Sequence, residues 1–194
     1  MGSHFKIDTL VLASQNPGKI NELQTLLAPL GVQLKSARDL ALPDVEEDQD
    51  TFAGNARKKA EAVAAATGLP ALADDSGLCV DALGGRPGVY TARYGGYEKL
   101  LRDISDVPQE ERSAYFICVL ALAVPGEKTS LFEGRVDGHI APEPQGEGGF
   151  GYDPVFIPEN HSLTFARMTA EQKHALSHRG RALSKFIGYM NERL

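Results

Sequence analysis

A chain of 194 residues fits one domain built of two closely packed lobes better than a string of independent domains. Hydrophobic residues at 42% and charged residues at 24% exclude long disorder, collagen-like sequence and coiled coil, and no apolar run is long enough for a membrane span. Lys plus Arg number 20 against 26 Asp plus Glu, a formal net charge of −6, and Trp is absent. That acidic balance excludes a protein that wraps polymeric nucleic acid, while leaving small anionic ligands open wherever basic residues converge.

The opening residues, Met1 to Lys6, lack the apolar core of a signal peptide. Thr9 to Ala13 reads as a buried first strand, ended by the polar run Ser14-Gln15-Asn16-Pro17-Gly18-Lys19. Ile20, Leu23, Leu27 and Leu30 then recur at helical spacing, with Pro17 suited to the first turn and Asn16 or Ser14 to the cap. A strand near Val32 to Ser36 and an acidic loop from Asp44 to Asp50 follow. The Ala-rich stretch Phe52 to Ala66 predicts a helix stopped by Gly68 and Pro70. Ala71-Leu72-Ala73 predicts a buried strand that delivers Asp74-Asp75-Ser76-Gly77 at its end. Tyr115 to Val124 and Thr129 to Val136 predict two strands about a turn at Glu127-Lys128. Leu183, Phe186, Ile187, Met190 and Leu194 mark a final amphipathic helix. The alternation of helices and strands, with a late hairpin, gives an α/β class with a mixed sheet. Cys79 and Cys118 are too few for a disulfide framework or a structural zinc site, so a cytoplasmic protein is expected.

Four polar clusters carry the chemistry. Ser14 to Lys19 is a strand-to-helix turn whose backbone N–H groups and lysine suit a phosphate, although it lacks the P-loop spacing; the ordinary alternative is a capped helix start. Asp74 and Asp75 point to opposite sides of a strand, so one suits metal binding or water activation while its neighbour orients the surroundings. The acidic run Glu46-Glu47-Asp48 offers a further ligand. Few carboxylates without a Cys/His cluster suit Mg²⁺, which keeps waters and leans on substrate phosphates. The bland alternative is a turn with solvated acids.

Gly146-Glu147-Gly148-Gly149-Phe150-Gly151 matches G-x-G-x-x-G in letters only, because it precedes a strand-like segment rather than a helix. It reads instead as a tight loop offering Phe150 or Tyr152 for stacking and Asp153 as an acceptor of ring N–H groups. Lys173, Ser177, His178 and Arg179 sit just before the last helix, where cations oppose the dipole and call for an anionic or acceptor partner. His4, His139, His161 and His174 lack metal-like spacing and read as surface residues. Together the clusters describe a nucleoside triphosphate held at both ends, with metal-assisted hydrolysis between.

Ala13-Ser14-Gln15-Asn16-Pro17-Gly18-Lys19, Thr51-Phe52 with Asn55-Ala56, Ala73-Asp74-Asp75-Ser76-Gly77-Leu78, Gly84-Gly85-Arg86-Pro87-Gly88-Val89-Tyr90, Gly148-Gly149-Phe150-Gly151-Tyr152-Asp153-Pro154 and Ser177-His178-Arg179 follow one another in an order that resembles the inosine/xanthosine triphosphate pyrophosphatase family, from Leu10 onward. The resemblance implies one domain of two lobes, a long mixed sheet flanked by helices and an active-site cleft between the lobes. It also implies a homodimer and Mg²⁺-dependent hydrolysis of ITP, dITP and XTP to the monophosphate and pyrophosphate. Carried over by position, Ser14, Gln15, Asn16, Pro17, Gly18, Lys19 and Lys59 would hold the triphosphate. Asp75 would accept the proton and bind metal, supported by Asp74, with Glu46 or Glu47 as the other acidic ligand. Ser76, Phe150, Gly151, Tyr152, Asp153, Lys173, His178 and Arg179 would bind the rest of the substrate.

Two departures stand out. The family usually has Glu where Gly54 stands, and many relatives carry a longer loop after Gly96. A Maf-like pyrophosphatase would carry arginines in the first turn and lack Gly-Phe-Gly-Tyr-Asp. A non-catalytic nucleotide-binding regulator would have no need of both Asp74 and Asp75.

Overall fold

The computed structural model describes residues 6–193, so the expectations for the opening residues, His4 and Leu194 lie outside it. Strand β1 (Thr9–Leu12) leads into helix α1 (Pro17–Leu27), which starts where the Asn16 side chain accepts from the N–H groups of Gly18 and Lys19. Leu30 falls in a separate 3-10 turn, Ala28–Leu30, because Pro29, two residues past the end of α1, has no N–H to continue the helix. After β2 (Gln33–Ser36) an irregular acidic segment reaches α2 (Phe52–Thr67), capped by Thr51 and ended by Gly68 at φ +69°. That left-handed backbone is open to glycine at no steric cost.

Strand β3 (Ala71–Val80) corrects one expectation: Asp74 and Asp75 sit in its middle, not at its end. Their relative exposures of 1% and 3% exclude a turn with solvated acids. The short β4 (Arg86–Pro87), helix α3 (Gly96–Asp103) and the long strands β5 (Ser113–Ala123) and β6 (Ser130–Ile140) follow. The segment after Tyr152 is first a 3-10 turn, Asp153–Val155, and only then strand β7 (Phe156–Pro158). Two helices close the chain, α4 (Ala170–Leu176) and α5 (His178–Asn191). Neither cysteine forms a disulfide, and both are buried. Among the described residues no helix is long and apolar enough to cross a membrane.

The strands follow the order β2-β1-β3-β5-β6-β7, with β4 paired to β3. β1 pairs in parallel with β2 and β3, whereas β3–β4 and β6–β7 are antiparallel, so the sheet is mixed as expected.

The chain divides into two compact units. The first holds residues 6–75, Val119–Glu133 and 182–193. Its core joins Val11 and Val63 to small residues: Ala13, Ala56, Ala60, Ala64, Ala71, Ala73, Ala121 and Ala123. Small side chains let α2 lie close to its neighbours at native packing density. The second unit, Ser76–Cys118 with Gly134–Arg181, is built on rings instead. Phe116 lies 4.6 Å from Phe156 and 6.0 Å from Phe165, with Leu78, Leu100 and Val136 around them.

Candidate active site

In the first unit, β3 and α2 bring acids and lysines together. Asp74 Oδ1 lies 3.0 Å from Lys19 Nζ, at the start of α1. Asp75 Oδ1 lies 3.8 Å from Lys59 Nζ, which also donates to Glu47 Oε1 at 2.9 Å and to the main-chain oxygen of Asp74 at 2.7 Å. Adjacent strand residues thus serve different lysines, as the alternation of a strand requires. Of the two candidate acids in the loop, Glu47 reaches this centre and Glu46 is exposed.

Asp75 Oδ2 is buried and makes no hydrogen bond among the described residues. Desolvation pushes the Asp75 carboxyl up to about 6; Lys59 and Lys19 counter it and the charges of Glu47 and Asp74 reinforce it. A buried carboxylate oxygen with no partner is costly unless something fills the gap. Among the described residues no three His, Cys, Asp or Glu side chains converge. Two carboxylates and an orphaned oxygen fit Mg²⁺, which takes few protein ligands and completes its shell with water and phosphate oxygens.

The turn from Ser14 to Lys19 is more self-contained than expected. Asn16 N–H donates to Ser14 Oγ, and Gly18 and Lys19 N–H both donate to Asn16 Oδ1, so these amides are used within the turn. Gln15 Nε2 donates to Leu42 O. The cationic contribution of this turn is the Lys19 ammonium, held at Asp74.

In the second unit the Gly-rich loop and the last two helices build a cluster of opposite character. Lys173 Nζ lies 2.7 Å from Asp153 Oδ2, both nearly buried, and the same oxygen accepts from Phe150 N–H at 3.0 Å. Gly149 sits at φ +67°, and a Cβ there would run into that carboxylate, which explains the glycine. The Phe150 ring has two cations near its face: Lys173 Nζ at 5.0 Å and Arg179 Cζ at 5.6 Å. Arg179 Nη2 donates to Ser76 Oγ at 3.0 Å. His178 stacks on Phe116, with centroids 4.6 Å apart and planes 11° apart.

Helix α5 begins here because Ser177 Oγ accepts from Gly180 N–H. A Cβ at Gly180 would strike the His174 carbonyl, so glycine lets α5 start tight against α4. Lys173, His178 and Arg179 are 5%, 5% and 2% exposed, which excludes solvated charges at a helix end. Tyr152 is buried and its hydroxyl donates to Thr91 O at 2.8 Å, leaving Phe150 as the partly open ring of the loop.

Sequence reasoning gave no role to Asn55, Phe116 or Thr91. An Asn in the first turn of an otherwise Ala-rich helix was a usable signal, since Asn disfavours helix interiors. Phe116, inside a long apolar run, was indistinguishable from any core ring.

The mixed α/β fold thus carries a desolvated carboxylate among lysines in one unit, and cations gathered round an aromatic ring in the other. The chain belongs to the Ham1 family, whose model matches residues 10–189. It is 49% identical over 186 residues to the dITP/XTP pyrophosphatase of Gluconobacter oxydans, covering 92% of this chain and 88% of that protein. Among solved structures it resembles a HAM1 protein from Coxiella burnetii, with TM-score 0.85 and 41% identity over 95% of this chain and 98% of that one. The Staphylococcus aureus Ham1 protein gives TM-score 0.84 and 37% identity, over 96% of this chain and 100% of that chain.

Proposed function

We infer that this chain hydrolyses the non-standard purine nucleoside triphosphates dITP, ITP and XTP to the monophosphate and pyrophosphate, and that it uses Mg²⁺. The observation that carries the reading is Asp75, a buried carboxylate with an open oxygen and a raised proton affinity, set among Lys59, Lys19 and Glu47. The match to dITP/XTP pyrophosphatases at about half identity supplies the substrate class.

Asp75 and Glu47 would hold the metal, which supplies charge neutralisation on the phosphates. Lys59 and Lys19 share that task, since cleavage between the α and β phosphates loads negative charge onto the leaving pyrophosphate. Asp75 accepts the proton of the attacking water. Asp74 orients Lys19. Ser14 to Gly18 shape the turn that presents Lys19 to the triphosphate.

Base selection belongs to the second cluster. Hypoxanthine and xanthine present O6 as an acceptor and N1–H as a donor, matched by the cations Lys173 and Arg179, by His178 and by the Asp153 carboxylate. Adenine reverses both groups, so it leaves buried donors unpaired, a penalty that discriminates strongly. Phe150, between two cations, is the ring on which the base stacks, with Gly151 at φ +63° turning the loop beneath it. Ser76 holds Arg179 in place. The resemblance further supports one domain of two lobes acting as a homodimer, and two cysteines outside any disulfide suit a reducing cytoplasm.

The test is pyrophosphate release with Mg²⁺ across dITP, XTP, dATP, dGTP and dTTP, with an EDTA control. Preference for dITP and XTP that EDTA abolishes is the expected result. Equal activity on all five removes the base-selection half of the reading. Tight dITP binding without turnover replaces the enzyme with a nucleotide-binding regulator.

A further inference from the structure

The acidic segment that carries Glu47 has no regular secondary structure, yet Glu47 must keep one position to serve Lys59 and Asp75. Three successive contacts tie the segment to the first two turns of α2. Lys59 meets Glu47 at 2.9 Å, Lys58 meets Asp48 at 2.8 Å, and Asn55 meets Gln49. The middle contact joins two side chains that are 36% and 47% exposed, and such pairs contribute little. The third is of another kind. Asn55 is 1% exposed, and its Oδ1 accepts from Gln49 N–H at 3.0 Å while its Nδ2 donates to Gln49 O at 3.4 Å. A buried amide that reads both main-chain groups of one residue admits a single register, because a slip leaves it unsatisfied. Gly54 permits the approach, since a Cβ there would lie 2.9 Å from Gln49 Cβ.

We propose that Asn55 is a positioning residue: its amide fixes the register of the acidic segment on α2 and thereby holds Glu47 at Lys59, beside Asp75. The inference deepens the reading above and rests on Glu47 as a ligand of Mg²⁺. Asn55 touches neither substrate nor metal. Its effect passes through Glu47 alone.

The experiment is a double-mutant cycle between Asn55→Ala and Glu47→Gln. Its first readout is Mn²⁺ binding to the nucleotide-free protein, followed by electron paramagnetic resonance. Asn55→Ala is expected to weaken Mn²⁺ by about tenfold or more, the usual cost of losing a group that orients a ligand. In the Glu47→Gln background the same change is expected to add less than about twofold, because coupled sites are not additive. Equal losses in both backgrounds, or an unchanged affinity in Asn55→Ala, overturn the proposal. Gln49→Pro deletes the donated N–H from an exposed loop residue, keeps Asn55, and is expected to weaken Mn²⁺ in the same way even where Asn55→Ala folds poorly. Asn55→Asp keeps the acceptor but sets a second oxygen against Gln49 O, and is expected to stay weakened, because both main-chain groups must be met.

The second readout needs no metal. The ammonium NMR signal of Lys59 in Asn55→Ala is expected at the position it takes in Glu47→Gln. A wild-type position overturns the positioning role. Should Glu47→Gln leave Mn²⁺ affinity untouched, Glu47 as metal ligand fails, while the Lys59 signal still decides whether Asn55 sets the register.

Discussion

The two units solve the burial of charge in opposite ways. The first packs alanines, and its small core lets a lysine of α2 reach 2.7 Å from a main-chain oxygen of β3. One of its acids is left under-satisfied: among the described residues Asp75 Oδ2 lacks a hydrogen bond, and the carboxyl is pushed up to about 6. The second packs phenylalanines and pairs its buried acid: Asp153 Oδ2 takes a lysine and a backbone N–H. In the proposed reading the first is the reactive centre, which keeps electrostatic cost, and the second the recognition centre, which its ion pair helps hold in place.

Asp75→Asn tests the first half and has the largest expected effect. Activity on dITP should fall roughly 10²–10⁴-fold, the range for a lost general base. Stability should move the other way. Asp75 has an ordinary value of 3.8 and a folded value of about 6, so the folded protein favours the protonated form. That advantage is complete below the ordinary value and is lost as pH rises through 6. At pH 8 in EDTA the ionised carboxylate therefore costs about 1–3 kcal/mol, which the asparagine removes. A thermal melt in EDTA that shows no gain for Asp75→Asn at pH 8 over pH 4 breaks the contrast.

Phe156→Ala attacks the ring core of the second unit, where Phe156 is fully buried against Phe116 and Phe165. Chemical denaturation should show a loss of about 3–5 kcal/mol. Discrimination of dITP from dATP should weaken in the survivors, because Phe116 also carries His178.

Ala60→Leu asks the matching question of the first unit, where Ala60 is 0% exposed in α2. Overpacking should cost about 1–3 kcal/mol and lift the helix from its seat. The fall in kcat should exceed that for an equally destabilising change in the second unit; equal falls would show that the alanine core does not set the Lys59 geometry.

Ser76→Ala is the mildest. Losing the bond to Arg179 should cost about 1 kcal/mol and raise KM for dITP without changing kcat. A change confined to kcat would move Ser76 from recognition to the chemistry.

Much of this was legible in the chain itself. Pro17 after Asn16, Thr51 before the Ala-rich run and Gly68 after it are local signals, and the helices begin and end there because capping is decided within a few residues. The residue types of the site were legible too, since lysines, an aspartate pair and a Gly-Phe-Gly-Tyr-Asp loop carry chemistry that few other residues can. What the chain could not show was which polar atoms are already spent. The amides of Asn16, Gly18 and Lys19 are consumed inside their own turn, and the Tyr152 hydroxyl is consumed by Thr91. The strand end expected at Asp74 also failed, because burial on both faces carries β3 through two carboxylates that propensity alone would place in a turn.

Sequence alone therefore determined the α/β class, the start of α1, the limits of α2 and the inventory of reactive groups, all of which depend on neighbours a few residues apart. Only the tertiary structure decided that Glu47 rather than Glu46 meets Lys59, that Asn55 grips Gln49, and that His178 lies on Phe116. The physical reason is that each of these rests on packing between residues distant along the chain, where burial and the demand for a hydrogen-bond partner choose among chemically equal candidates.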